Sequence, residues 1–178
     1  GDSPAIVQAR EFLIRAAKTH YPILLTGESG TGKQAAVEWI HHLSPRRRSP
    51  FIEVNASCWN GSSMVHSLLF GHEKGAFTGA DRVHKGCFEL AHGGTLFLDE
   101  IGELDPQVQP MMLKILDRGR LERLGAQALR QIDVRLICAT NRDLEQEARL
   151  GRFRQDLLSR IRCLEIRLPS LSERLGDL

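Results

Sequence analysis

Gly27, Glu28, Ser29, Gly30, Thr31, Gly32 and Lys33 follow the apolar run Ile23-Leu24-Leu25-Thr26 and open a stretch with helical character. Glycines at this spacing let successive backbone N–H groups turn onto phosphate oxygens. The helix behind them presents its positive end, and the lysine adds a full charge at the outer phosphates. Strand, glycine loop, lysine and helix together point to a nucleoside triphosphate as ligand. A glycine loop alone would be an ordinary turn. Gln34 stands where many phosphate loops carry the Ser or Thr hydroxyl that holds magnesium. Metal coordination must then be arranged differently; water and a downstream carboxylate could supply it, in keeping with the few protein ligands magnesium takes.

That carboxylate is at hand in Gly93-Gly94-Thr95-Leu96-Phe97-Leu98-Asp99-Glu100, an apolar strand ending in two acids. Asp99 is assigned to the metal and Glu100 to the water that attacks the outer phosphate. The competing reading is a pair of acids favoured at a helix N-terminus. A second buried run, Val134 to Thr140, ends in Thr140 and Asn141, which can reach the same edge and sense the outer phosphate. Asn141 could equally cap the following helix. Arg154 and Arg160, six positions apart, flank apolar residues and could reach from one subunit to the next subunit's nucleotide, where a fixed planar guanidinium neutralises charge growing on phosphate. Surface ion pairing is their plainer alternative.

Gly75, Ala76, Phe77, Thr78, Gly79 and Ala80 form the other distinctive segment, a bulky ring between small residues with Glu73, Lys74, Asp81 and Arg82 around it. Glycines weaken helix and strand alike and the charges favour exposure, so Phe77 is expected at a tip, available to another molecule or simply closing a hairpin.

The elements that must carry these residues are legible in outline. Beta-rich runs at 23–26, 51–54, 95–98, 134–140 and 164–168 alternate with helical segments at 34–42, 62–70, 107–117, 144–149 and 154–160. A first amphipathic helix uses Ala5, Ala9, Phe12, Leu13 and Ala16 and ends before Tyr21-Pro22. Residues 121–129 read as a hairpin. The alternation predicts an α/β fold, a parallel sheet flanked by helices on both faces. At 178 residues and 42% hydrophobic content the chain fits one domain, and its net charge of +2 demands no nucleic-acid partner. Arg46, Arg47 and Arg48 read as a solvated loop or an anionic contact, with the loop favoured. Cys58, Cys87, Cys138 and Cys163 lack zinc spacing and are expected to be buried, reduced thiols. His41 and His42 diverge on a helix and the other histidines are dispersed, so no zinc is assigned. No apolar run nears the length of a membrane span, about twenty residues, and a cytoplasmic location is expected.

Through GESGTGK, FGHEKGAFTGA, GGTLFLDEI, ATNRDL and GRFRQDLLSRI, nearly the whole chain resembles the central AAA+ domain of bacterial enhancer-binding proteins, the activators of RNA polymerase holding sigma-54. The nucleotide motifs are shared across AAA+ proteins, whereas GAFTGA is specific to this family. The resemblance implies an AAA+ P-loop NTPase core over residues 1–178 with ATP and Mg2+ as cofactors. It also implies a homo-oligomeric ring, usually hexameric, that remodels the closed promoter complex, in contrast to a generic AAA+ motor or a nucleotide-gated binding module. It casts Gly27 to Lys33 as Walker A, with Gln34 beside it, Asp99 and Glu100 as Walker B, Thr140 and Asn141 as sensor I, and Arg154 and Arg160 as arginine fingers. Asn55 matches the asparagine that would hold Glu100 from water until the nucleotide state changes, and residues 75–80 would touch sigma-54. Departures are Gln34 for the usual Glu, His66 and Leu68 in place of acids, and a partial match at 168–174. The chain stops about where the family's helical lid begins, so the lid subdomain is expected to be missing here and enhancer DNA to be bound through another domain.

Overall fold

The computed structural model describes residues 4–58, 62–170 and 172–173. Helix α1 (Pro4–Ala17) leads into β1 (Ile23–Thr26), and α2 (Lys33–Leu43) into β2 (Phe51–Asn55). Then come α3 (Ser62–Phe70), α4 (Cys87–Leu90) and β3 (Thr95–Asp99), followed by α5 (Gln109–Arg118) and the short β4 (Arg120–Glu122) and β5 (Leu129–Gln131). The chain continues through β6 (Arg135–Thr140), α6 (Leu144–Arg149), α7 (Gln155–Ile161) and β7 (Leu164–Arg167).

Five strands form one sheet in the order β2-β3-β6-β1-β7, and every pairing in it is parallel. Because successive side chains point to opposite faces, β1 sends Leu24 to one core and Ile23 and Leu25 to the other. In β3, Leu96 and Leu98 oppose Phe97; in β6, Leu136 and Cys138 oppose Ile137 and Ala139. Residues of α1 and α2 cover one face, those of α3, α4, α5 and α7 the other, so the predicted two-sided architecture is present. β4 and β5 pair antiparallel as a separate hairpin, as the sequence predicts.

Local chemistry sets the ends. Asp143 caps α6 by accepting from the backbone N–H groups of Glu145 and Gln146. Gly119, at φ 60°, lets the chain leave α5 in the left-handed conformation that starts the hairpin. Helix α4 escapes the sequence reading because one turn shows no periodicity. Phe12, expected on the apolar face of α1, is 51% exposed. The side chain of Ala5 and the tail residues Leu171 and Arg174 lie outside the described residues. The thiol expectation needs correction: Cys138 is buried, but Cys87 is half-buried and Cys58 and Cys163 are exposed. Two of them sit in short loop or turn segments, where apolar character alone does not secure burial. Within the arginine run, Arg46 is anchored to the Gly94 carbonyl at 2.9 Å and to Asp133 at 2.7 Å, while Arg47 and Arg48 face solvent.

One buried cation ties the layers together. Arg135 of β6 is 2% exposed and donates to the carbonyls of Ala16 at 2.6 Å and Ala17 at 3.0 Å, the last turn of α1. It adds charge-assisted donors to carbonyls at the helix end, where the Ala16 carbonyl also accepts from the Thr19 N–H at 3.0 Å and hydroxyl at 2.9 Å. Burial, and secondarily Arg46, pushes its pKa down to about 10, which leaves it charged at neutral pH. Arg135→Met removes the charge-assisted donors to both carbonyls and should lower the unfolding free energy in urea by about 1–3 kcal/mol; an unchanged midpoint would remove this bridge from the account.

Candidate nucleotide site and partner loop

β1 delivers the chain to the phosphate loop at the carboxyl edge of the sheet. Gly27, Gly30 and Gly32 have φ of 155°, 80° and 90°, which turn backbone N–H groups into one concavity. A Cβ on Gly27 would lie 2.9 Å from the Leu168 carbonyl, so close packing against the exit of β7 also requires glycine there. The first residue of α2, Lys33, is buried, and its Nζ donates to the carbonyls of Gly27 at 2.8 Å and Glu28 at 2.9 Å. Thr31 Oγ1 donates to the Glu28 carbonyl at 2.9 Å, while Ser29 is exposed. The ammonium is thus held over the concavity of the loop, which is where a polyanion would be met by amides and charge together.

Parallel pairing brings the acids to the same edge. Asn55 and Asp99 are register partners across β2 and β3, as Thr26 and Thr140 are across β1 and β6. Asp99 Oδ1 accepts from the Glu100 backbone N–H at 2.9 Å. Glu100 has φ 50° and ψ 47°, the one non-glycine residue with positive φ among the described residues. Such a conformation costs energy and re-aims the side chain away from the strand. Its Oε2 faces the backbone N–H of Asn141 at 3.5 Å. Asn141 itself is exposed in a cleft of about 190 Å³ that also borders Gly27 and Glu28. Thr140 is fully buried, and its hydroxyl accepts from the Arg142 backbone N–H at 3.0 Å, so it shapes the turn that presents Asn141.

Asn55 departs from what the resemblance implies. Its Nδ2 lies 3.4 Å from Asp99 Oδ2, and its Oδ1 accepts from the N–H and hydroxyl of Ser57 at 2.9 and 2.6 Å. The side chain therefore bridges Asp99 to the start of the next turn and does not hold Glu100. Gln34 donates weakly to Glu38 at 3.5 Å and Glu53 at 3.4 Å. Burial, then the charges of Asp99 and Glu38, raise the Glu53 carboxyl above its usual range. Hard oxygens crowding beside the phosphate loop suit a magnesium ion, which takes one or two carboxylates with water and phosphate oxygens. Asp99 would hold it, with Glu53 a neighbour that motif spacing does not reveal.

A slot of about 470 Å³ between α1 and α2 continues from Thr31 and Gly32, walled by Ile6, Ala9, Leu13 and Trp39. Its apolar walls match a flat heteroaromatic group. Sequence reading assigns Ala9 and Leu13 to the core because periodicity cannot separate a core face from a ligand-facing one.

The two arginines lie elsewhere. Arg154 caps α7 and pairs with Asp156 at 2.7 Å; Arg160 pairs with Asp117 at 3.0 Å and donates to the Leu116 carbonyl at 3.1 Å. Both are nearly half exposed, and neither hydrogen-bonds the phosphate loop of its own chain among the described residues. Each has a surface ion pair, and each stays available to a second molecule.

The segment around Phe77 is a closed loop. Gly75 N–H donates to the Ala80 carbonyl at 2.8 Å, Ala80 N–H to the Phe77 carbonyl at 3.0 Å, and His72 and His84 bridge its base. Gly75 and Gly79 take φ of 80° and 95°, while Ala80 is buried and Thr78 exposed. Phe77 is 40% exposed, with its ring edge-on to His72 at 4.9 Å. Ser67 and His72 share a 2.6 Å hydrogen bond that fixes the imidazole beneath it. The hairpin braces the loop from the other side: Arg123, 5% exposed, pairs with Glu89 at 2.6 Å and Glu73 at 2.9 Å, and Gly125 packs on Ala76. These acids, Glu89 first, hold the Arg123 guanidinium above its usual pKa.

Comparison with known proteins agrees with this geometry. Residues 1–167 match the family described as the Sigma-54 interaction domain. A Nif-specific regulatory protein of Sinorhizobium fredii is 51% identical over all 178 residues, which span 30% of that relative's length. The structure of NtrX from Brucella abortus in complex with ATP superposes with a TM-score of 0.91 at 34% identity, covering 99% of this chain and 38% of that one. The P-loop NTPase domain of a sigma-54 activator from E. coli shares the fold, with a TM-score of 0.63 at 18% identity, over 96% of this chain and 99% of its own. With the phosphate loop, the paired acids and residues 1–167 in agreement, the chain belongs to the sigma-54 interaction domain family and has the fold of a P-loop NTPase domain.

Proposed function

We propose that this chain hydrolyses ATP and uses the hydrolysis to remodel RNA polymerase holding sigma-54, through the loop of residues 75–80. The observation that carries the reading is the convergence of Lys33, Asp99, Glu100 and Asn141 at one sheet edge, on a chain whose family is defined by the sigma-54 interaction domain. Its relatives are Nif-specific regulators. The work is assigned to the cytoplasm, in a ring of identical subunits, with enhancer DNA bound through another part of the protein.

The triphosphate lies in the cradle of residues 27–33, with the base in the slot beside Trp39 and Lys33 moving from the loop carbonyls to the outer phosphates. Magnesium, held at Asp99, would neutralise phosphate charge. Glu100 accepts a proton from the attacking water as the water oxygen bonds to the terminal phosphorus. The bond from that phosphorus to the bridging oxygen breaks, and the electron pair leaves with ADP. Asn141 hydrogen-bonds the outer phosphate, and Arg154 and Arg160 of a neighbouring subunit meet its growing charge. Losing that phosphate removes contacts at Asn141 and the arginines and biases the loop that carries Phe77.

Lys33→Ala should lose affinity for a fluorescent ATP analogue, whereas Glu100→Ala should bind it and fail to release phosphate. Equal loss of binding in both would undo that division of roles. Arg154→Ala and Arg160→Ala should each slow steady-state turnover by ~10³-fold or more, and unchanged rates would show that the fingers lie elsewhere. Phe77→Ala should retain hydrolysis yet fail to capture sigma-54 in the presence of a transition-state analogue. Retained capture would refute the loop assignment, and turnover stimulated by DNA or unfolded protein without sigma-54 dependence would favour a generic motor.

A further inference from the structure

Gln109, in the first turn of α5, is fully buried and uses all of its hydrogen-bonding reach on two segments that sequence places far apart. Its Nε2 donates to the carbonyls of Leu104 and Arg152, both at 3.0 Å, and its Oε1 accepts from the backbone N–H of Arg154 at 2.8 Å. Leu104 closes the turn that starts at Glu100: Glu103 N–H donates to the Glu100 carbonyl at 2.8 Å and Leu104 N–H to that of Ile101 at 3.1 Å. One amide therefore joins the end of the acid-bearing turn to the backbone from which Arg154 projects.

A second, outer strap runs the same way. Arg142, one residue beyond Asn141, pairs with Glu103 and with Glu147 of α6. Glu147 pairs with Arg152 at 2.6 Å, and its own carbonyl accepts from the N–H groups of Arg152 and Phe153. Phe153, 3% exposed, is packed in the core, so residues 152–154 are held from three directions. The side chain of Arg154 remains outside this frame, paired with Asp156.

We propose that Gln109 is a positioning residue that locks the turn 100–104 to the segment 152–154, so that the water-handling end of one subunit's site and the arginine it offers to the next site move as one piece. The proposal rests on the reading of Arg154 and Arg160 as fingers for a neighbouring subunit. Only a primary amide of this length supplies two donors and an acceptor without charge in a buried place. An ionised Glu would supply no donor, and Met would supply neither donor nor acceptor of comparable strength. A displacement of the backbone at Arg154 is carried to its guanidinium, where misplacement of about 1 Å can cost about 10²-fold in rate.

The test separates a structural role from a positioning one by mixing subunits of the full-length protein. Gln109→Met should bind the fluorescent ATP analogue within about twofold of the parent while its turnover falls by about 10²-fold. Its turn 100–104 keeps the Glu103 and Leu104 backbone hydrogen bonds, whereas the Arg154 backbone loses its acceptor, so mixing it with Glu100→Ala, whose fingers are intact, should raise turnover per Gln109→Met subunit roughly tenfold or more. Gln109→Glu, which keeps the acceptor for Arg154 N–H, is run in parallel and carries the test should the Met variant fail to fold. The finger variants Arg154→Ala and Arg160→Ala are mixed with Glu100→Ala in the same way. If they recover and the Gln109 variants do not, the positioning role is overturned while the finger reading stands. If none recovers, both are overturned. A Gln109→Met protein with parental turnover also overturns the proposal.

Discussion

Everything functional in this chain depends on parallel strand pairing. In a parallel sheet all strands reach their carboxyl ends at one edge, so residues distant in sequence are delivered together. The register places Asn55 beside Asp99 and Thr26 beside Thr140, which brings the acids to the same sheet edge as the cleft that Gly27, Glu28 and Asn141 border. The apolar content of β1, β3 and β6 is what holds that edge rigid, since these strands are buried on both faces. On that base the chain tolerates local cost: a glutamate in a left-handed conformation, a buried lysine, and a Glu53 carboxyl raised above its usual range by burial and then by Asp99 and Glu38. Strain and crowded charge at one edge are what a polyanion with a divalent cation would relieve.

Much of this was legible from residue types and spacing. The glycine loop declared a strand before it and a helix after it, because both are needed to present amides and a dipole to phosphate. Apolar runs of strand length declared a parallel sheet, and Gly119 and Gly125 marked the hairpin. Legibility ended where tertiary contacts decide. Periodicity placed Phe12 in the core, yet the helix turns it to solvent while Ala9 and Leu13 go inward. Asn55 was assigned by motif to Glu100, but the left-handed turn at Glu100 carries that side chain toward Asn141 and leaves Asn55 facing Asp99. Gln109 and Arg123 carried no sequence signal, because a buried polar residue looks like any surface one until its partners are known.

The loop bearing Phe77 belongs to the same logic of support. Its tip is small and mobile in composition, but its base is clamped by the His72–His84 bridge and by a buried arginine shared between Glu73 and Glu89. A clamped base with an exposed ring gives a lever and not a tether.

The most direct test of the account is a crystal structure with a non-hydrolysable ATP analogue and magnesium bound. The prediction is that Lys33 Nζ leaves the Gly27 and Glu28 carbonyls for the outer phosphates, with Asp99 on the metal side and the base against Trp39. A nucleotide bound elsewhere, or a lysine still held by the loop carbonyls beneath a bound triphosphate, would contradict it.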